Sequence, residues 1–325
     1  MKEKRRGVLS KIRILYRPLR PVYTKIINWY GNRNKKWLIT KVYKNTLHRD
    51  IDWENPRDLN EKINWLKLHS DPYEWAKLAD KYSVRDYVKS KGLENILVPL
   101  YGHWESAQDV VDSWDELPDE FVLKCNNGNG KVRIICTANG GKGSVNLDEL
   151  KAELTNWISS KYGGISGTEP HYSLIKNSII AEKYLHDESE DAFSDSIVDY
   201  KIWCFSGKPY GCYVCFNRNL VTKEKDVMFY DLDWNMHPEV FSGEITHQTI
   251  DKPQEWGKML EIATILCQGQ PEVRVDLYYS SGKIYFGEMT MTGKGGFMNY
   301  YTEKALLEMG EQIKLDLSTP GNMFA

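Results

Sequence analysis

Apolar and polar positions along this chain follow two periods, and the change from one to the other divides it. Over residues 55–92 the spacing is helical. NPRDLNEKINWLKLH offers Asn60 as an N-cap, Glu61 in the first turn, and Ile63, Leu66 and Leu68 as the apolar stripe. DPYEWAKLADKYSVRDYVKSKG continues with Trp75, Leu78, Tyr82 and Val84, and Gly92 ends it. LVPLYGHW then reads as a strand or sheet edge. FVLKC (121–125) and KVRIICT (131–137) read as strands, residues 148–161 as a helix, and IIAEKYL (179–185) as a buried strand running into a linker. DYKIWCFSGKPYGCYVCF predicts a hairpin turning near Ser206-Gly207-Lys208, and residues 255–268 a helix.

The period-two pattern is clearest over residues 272–296, where VRVDLYY and KIYFGEMTM flank a turn. A three-residue loop, Ser280-Ser281-Gly282, pairs Tyr279 with Lys283, Arg274 with Glu288 and Asp276 with Phe286. Alternation then puts Arg274, Asp276, Glu288 and Thr290 on one face and Val273, Val275, Leu277, Tyr285 and Met289 on the other. A two-residue Ser281-Gly282 turn would shift the register by one and separate the carboxylates. Neighbouring carboxylates repel unless a cation sits between them, and Mg²⁺ accompanied by phosphate suits such a pair. The competing reading is a water-facing hairpin with an Arg–Glu cross-strand pair.

Composition adds a boundary. The chain has 325 residues, 41% of them apolar, enough for a full core in one lobed domain or two apposed ones. Six cysteines show no disulfide spacing, Cys212-x-x-Cys215 reads as core, and the expectation is a cytosolic protein. Residues 1–50 hold fifteen of the 43 Lys and Arg but only Glu3 and Asp50 of the 45 acidic residues, which leaves 28 basic against 43 acidic for the other 275. This basic part reads as a separate device. Pro18 and Pro21 break any long helix, and no apolar run approaches the roughly 18 residues of a membrane span. Two readings stand: peripheral contact with an anionic membrane, on the inner face, or a basic arm packed on the acidic body. No nucleic-acid module accompanies it, so no nucleic acid is expected as a partner.

Asn126-Asn127-Gly128-Asn129-Gly130 lies between the two short strands. Glycines let backbone N–H groups approach phosphate, although Asn-Gly is first of all a turn signal. Lys124 points from a strand otherwise made of Phe, Val and Leu, where a phosphate partner would explain it. Asp199 and Lys201 alternate on one strand face. His171-Tyr172 either line a pocket or are structural, the histidine with its hydrogen bonds met. Asp231-Leu232-Asp233 is a DxD, a feature of metal-dependent glycosyltransferases, but in a loop it reads as a turn.

Taken in order, LNEKINWLKL, LADKYSVRDYV, LPDEFVLKC, EPHY, IIAEKYL, DYKIWCFSGKP and VRVDLY…IYFGEMT resemble the ATP-grasp superfamily, and more closely its TupA-like family from bacterial surface-polysaccharide loci, over about residues 51–300. The resemblance implies an α+β ATP-grasp fold, two lobes gripping ATP, with a helical N-terminal region. It implies a basic segment at 1–50, a helical region at 51–94, a lid lobe at 95–180 and a C-terminal lobe with the metal site at 181–325. ATP and Mg²⁺ are the implied cofactors. Arg85 and Lys124 would contact ATP phosphates, Asn127, Gly128, Asn129 and Gly130 would form the lid, and Glu182, Lys183 and Leu185 would hold adenine and ribose. Arg274, with Lys201, would serve catalysis; Asp276 and Glu288 would ligate the metal, with Thr290 standing where many members carry Asn. The implied activity is ATP-dependent joining of an amine, such as an amino acid, to a carboxylate of a polysaccharide or lipid-linked glycan. A glycosyltransferase, a sugar kinase and a non-catalytic binder are the rivals.

Overall fold

The computed structural model describes residues 30–31, 33–128, 130–160, 167–186, 196–219, 222, 224–245 and 248–325. Asn129 and residues 1–29 of the basic segment lie outside the described residues. Among the described residues, after helical positions at Tyr30, Gly31 and Arg33, come the helices α1 (Lys35–Leu47), α2 (Leu59–His69), α3 (Pro72–Ala79) and α4 (Val84–Ser90). The strand β1 (Leu100–Trp104), helix α5 (Ala107–Asp112), strands β2 (Phe121–Cys125) and β3 (Val132–Ile135), helix α6 (Leu147–Ser159) and strand β4 (Ile179–Lys183) follow. Then come β5 (Asp199–Phe205), β6 (Lys208–Phe216), β7 (Asp226–Tyr230), α7 (Trp256–Leu266), β8 (Glu272–Ser280), β9 (Lys283–Thr290) and α8 (Glu303–Glu311). The strands form two antiparallel sheets, β1-β4-β2-β3 and β7-β6-β5-β8-β9, so the class is α+β as expected. The expected lobe boundary at 180–181 falls inside β4, which lies between β1 and β2; the whole strand belongs to the smaller sheet.

Each sheet buries one face under helices. In the smaller sheet Phe121, Leu123, Cys125, Ile179 and Ala181 pack against α5 and α6 through Val110, Leu150 and Leu154. In the larger sheet Val273, Val275 and Leu277 share a face with Cys204, whose thiol meets Cys267 just past α7. α7 brings Met259, Ile262, Ala263 and Leu266 to that core at helical spacing. All six cysteines are buried and free, Cys212 and Cys215 among them, as a core reading requires.

Several expectations at the helical end are corrected. The N-cap of α2 is Asp58, which accepts from Glu61 N; Asn60 instead lies inside the first turn and is fully buried. Its amide pairs with both backbone groups of Met298, at 3.0 and 2.8 Å. The single helical run over 71–92 is broken at Asp80–Ser83, and Tyr82 stacks outward on His103 with ring centroids 3.6 Å apart. The described end of the basic segment is no separate device. α1 buries Leu38, Ile39 and Tyr43, and Arg49 pairs with Asp58 and, at 3.1 Å, with Glu61.

The β8–β9 hairpin turns on two residues, with Ser280 opposite Lys283 and Ser281 and Gly282 at φ +50° and +73°. Positive φ at both positions is the type I′ geometry whose twist matches the strands. That turn alone would have put Glu288 on the core face. Gly287 is an extra residue at a bulge, however, and it restores the alternation, so Asp276 faces Glu288 and Arg274 faces Thr290. The expected pairs, Arg274 with Glu288 and Asp276 with Phe286, are therefore wrong, while the four polar side chains do share a face. Phe286 replaces Tyr285 on the core face, because the two residues precede the bulge. A Cβ at Gly287 would lie 3.0 Å from the Asp276 carbonyl oxygen and 3.0 Å from the Tyr278 ring, tighter than most side chains sit, so the bulge favours glycine.

Candidate active site

The polar face of the larger sheet gathers charges from four places in the chain. On β8, Arg274 donates from Nε and from Nη2 to the two carboxylate oxygens of Asp276, each at 2.7 Å. Its Nη2 also donates to Thr290 Oγ1 at 3.1 Å and lies 3.5 Å from Glu288. Thr290 in turn donates to Glu288 at 3.2 Å. From β5, Lys201 stands 2.6 Å from Asp276 and 2.7 Å from Asp199, and Arg218 reaches Asp199 at 3.0 Å. Lys81, from the break between α3 and α4, lies 3.5 Å from Glu288. Four cations thus neutralise three carboxylates.

Burial sets the electrostatics. It opposes ionisation of Glu288, but Lys81, then Lys201 and Arg274, outweigh it and pull the carboxyl down to about 2. For Asp276, 1% exposed, burial pushes the carboxyl up against the pull of Arg274 and Lys201. Burial lowers Lys201 and Arg274 in the same way, and their carboxylate neighbours more than reverse it.

Asp276 and Glu288, opposed across the strands with the Thr290 hydroxyl beside them, are hard oxygen donors. Among the described residues no three His, Cys, Asp or Glu side chains gather as metal ligands. Two carboxylates nevertheless fit Mg²⁺ in the form that carries substrate phosphates and water with it, which needs one or two protein carboxylates and no protein cage.

A second group of charges lies on the smaller sheet. Glu182 on β4 accepts from Arg85 at 3.0 Å and from Lys124 at 2.7 Å, and Arg85 also donates to the Val98 carbonyl at 2.8 Å. The ammonium of Lys124 therefore has a protein partner, so a phosphate is not needed to account for it on this strand. Lys124 and Glu182 share the face opposite the α5–α6 core, as the register of β2 on β4 requires. Lys183 is exposed, its N–H donating to Pro99 O at 2.9 Å, and Leu185 is half-buried just past the strand.

The glycine loop is braced from behind. Asn127 was expected to touch nucleotide, but its side chain is buried and its amide donates to Tyr172 O at 3.2 Å and Asn177 at 2.8 Å. Asn126 is buried likewise, bonding Asp80, Lys176 O and Ser178 N. Gly128, which is buried, and Gly130, which is exposed, both take φ +82°. Lys81 Nζ donates to Gly128 O at 2.8 Å, so one ammonium connects the loop to Glu288.

Lys81 and Arg218 escaped the sequence reading. Lys81 was visible inside LADKYSVR, four residues before Arg85, while nothing in the spacing marked Arg218. Two weaker candidates are settled by contacts. Asp231 spends both carboxylate oxygens on Asn235, the Asp233 N–H and His237, which makes the DxD a turn. His171 is buried against the Trp75 ring, its ring nitrogens without hydrogen bonds, and burial lowers its pKa to about 3. It is structural, but its hydrogen bonds are not met. Beside it the fully buried Lys67 donates to Asn64 at 2.8 Å and to Gly295 O at 2.5 Å.

A glycine loop on one antiparallel sheet, tied by a lysine to a carboxylate face on a second, is in keeping with the ATP-grasp class that the sequence motifs resemble. Residues 61–314 match the family model described as TupA-like ATPgrasp, and the chain belongs to that family. Comparison with curated proteins returns no match. Among solved structures, the D-alanine–D-alanine ligase of Bacillus anthracis complexed with ATP is 15% identical, covering 72% of this chain and 60% of its own, at a TM-score of 0.39. The ATP-grasp ligase PsnB with a phosphomimetic variant of its minimal precursor, Mg and ADP is 12% identical, covering 76% and 62%, at 0.39. The N5-carboxyaminoimidazole synthetase of Staphylococcus aureus complexed with ADP is 13% identical, covering 66% and 45%, at 0.38. This chain thus spans less than two thirds of the length of each.

Proposed function

We infer that this chain is an ATP-dependent ligase that joins an amine, such as an amino acid, to a carboxylate of a surface polysaccharide or its lipid-linked precursor. The observation that carries the reading is the face on which Arg274 and Lys201 stand beside Asp276 and Glu288, tied through Lys81 to the Gly128 loop. Activating a carboxylate with ATP needs little covalent chemistry from protein; it needs positioning and neutralisation of phosphoryl charge. Asp276 and Glu288, with Thr290, would hold Mg²⁺, which when bound supplies charge neutralisation at phosphate oxygens. Arg274 would meet charge developing on the transferred group and Lys201 would orient it. Arg85 and Lys124, held now by Glu182, would turn to nucleotide, with Lys183 and Leu185 at its rim. The reaction forms an acyl phosphate and ADP; the amine then attacks the acyl carbon and releases phosphate.

The test is calorimetric titration with ATP and Mg²⁺, then incubation with ATP, a uronic-acid glycan and an amino acid pool, following nucleotide and product mass. ADP, phosphate and a glycan heavier by the mass of the amino acid less one water are expected. AMP with pyrophosphate, a phosphorylated sugar that persists without amine, or binding of a UDP-sugar instead of ATP would each refute the reading.

A further inference from the structure

Lys81 touches both the glycine loop and the carboxylate face, and hydrogen bonds anchor its backbone. Its backbone N–H donates to Asn126 O at 3.0 Å, while the neighbouring Asp80 accepts from Asn126 Nδ2 at 3.0 Å, from Tyr82 N at 2.9 Å and from Ser83 Oγ at 2.9 Å. From this base the side chain, 18% exposed, divides its ammonium between two partners. The contact with Gly128 O, at 2.8 Å, is a hydrogen bond. The contact with Glu288 Oε2, at 3.5 Å, is an ion pair too long to be one.

The long contact is the one that ligands would change. Glu288 is 37% exposed on its side chain, so a cation from solvent can reach it, yet Lys81 already supplies positive charge there. A divalent ion on the same carboxylate would face an ammonium at short range, and the two repel. A phosphate group entering under the Gly128 loop attracts that ammonium instead. Lys81 needs only side-chain rotation to follow it, because its backbone is fixed beside the loop.

We propose that Lys81 is a switchable counter-ion: it holds Glu288 in the ligand-free protein and passes to nucleotide phosphate, so that divalent-metal binding at Glu288 is conditional on nucleotide. The proposal rests on the reading of the cleft as an ATP site. By linkage the dependence is reciprocal, since whatever frees Glu288 of Lys81 also frees Lys81 for phosphate. The device keeps a bare metal ion off the carboxylate face until the nucleotide that it must accompany has arrived.

Two titrations test it: Mn²⁺ alone, followed by electron paramagnetic resonance, and the non-hydrolysable analogue AMP-PNP in EDTA, followed by calorimetry. Lys81→Met is expected to bind Mn²⁺ about tenfold more tightly than the wild type and AMP-PNP about tenfold more weakly, within the usual range of coupling between sites. Shifts of opposite sign are the signature; a merely structural lysine would weaken both ligands. Lys81→Arg should resemble the wild type in both titrations. Weakening of both ligands in a folded Lys81→Met, or no change in either, would overturn the proposal. Should Lys81→Met fail to fold, Glu288→Gln carries the test: releasing Lys81 should tighten AMP-PNP in EDTA, and unchanged or weaker binding would overturn it. A wild type that binds neither probe, alone or together, would refute the ATP reading itself, a result distinct from any of these.

Discussion

Arg274→Met removes the guanidinium that closes on Asp276 and leaves that carboxylate, 1% exposed, with Lys201 as its ion-pair partner. One unit pair at 2.7 Å in an effective dielectric of ~20 is worth about 6 kcal/mol before desolvation. Lys201 at 2.6 Å stays in place and retains much of that attraction. Breaking a buried pair from one side costs about 3–5 kcal/mol, so a loss of about 2–4 kcal/mol is expected here. Its pH dependence identifies the cause. Burial already raises Asp276, and without Arg274 its folded-state pKa rises further. A carboxyl raised in the folded state costs nothing below about pH 4, where folded and unfolded chains both hold the proton, and costs most above its folded pKa. The gap between the urea midpoints of the two proteins should therefore narrow toward pH 4, where the Arg274–Glu288 contact is still lost, and widen toward pH 8, with m-values unchanged. Arg274→Met/Asp276→Asn should lose less than the two single variants together. A loss constant across pH, or one under about 0.5 kcal/mol, would refute the reasoning.

Two further outcomes follow from charge. Burial takes Lys67 from its ordinary 10.5 to about 7, against the attraction of Glu169, while the adjoining His171, lowered to about 3, is neutral across this range. The folded chain then binds fewer protons than the unfolded chain between these pH values, so stability rises with pH there, by up to about 1.4 kcal/mol per unit; Lys67→Met should flatten that slope in denaturant midpoints from pH 7 to 9.5, and equal slopes would count against it. Because α1 docks on the body, we propose that membrane contact is confined to the preceding residues, where nine Lys and Arg precede residue 30. Flotation should then require anionic liposomes and weaken with salt, each basic residue near the surface being worth about 1 kcal/mol; salt-independent binding to neutral liposomes would exclude this.

What could be read in the sequence was whatever depends on near neighbours. Alternation in VRVDLYY gave the two faces of β8, and the helical stripes of α2 and α3 gave Ile63, Leu66, Trp75 and Leu78 as core, all of them buried. Register was not legible, since it depends on two one-residue events, the Ser281-Gly282 turn and the Gly287 bulge, whose effects on Glu288 cancel. The right face was reached through the wrong pairs. Partnerships across long separations were invisible as well: Glu182 lies 58 residues from Lys124, and Lys81 is 47 from Gly128.

The largest gap lies on α2, where Asn60, Asn64 and Lys67 are as buried as the leucines beside them. Hydrophobic patterning treats such residues as solvent-facing, and at i, i+4 and i+7 they indeed form one polar stripe. That stripe faces backbone instead of water. It bonds the carbonyls of Met298, Gly296 and Gly295, in the segment just beyond Thr290 where Lys294, Gly295 and Gly296 all take positive φ. A loop in that conformation cannot satisfy its carbonyls through helix or sheet ladders, so side chains must accept the task. Thr292 adds a 2.5 Å bond to Glu169, and at Gly293 a Cβ would lie 2.4 Å from the Trp203 ring, beside which Arg274 also packs. The carboxylate face of β8 and β9 is therefore held from behind by an N-terminal helix more than 200 residues away in the chain. For that reason residues 59–68 belong to the site's architecture although none of their side chains forms part of its charged surface.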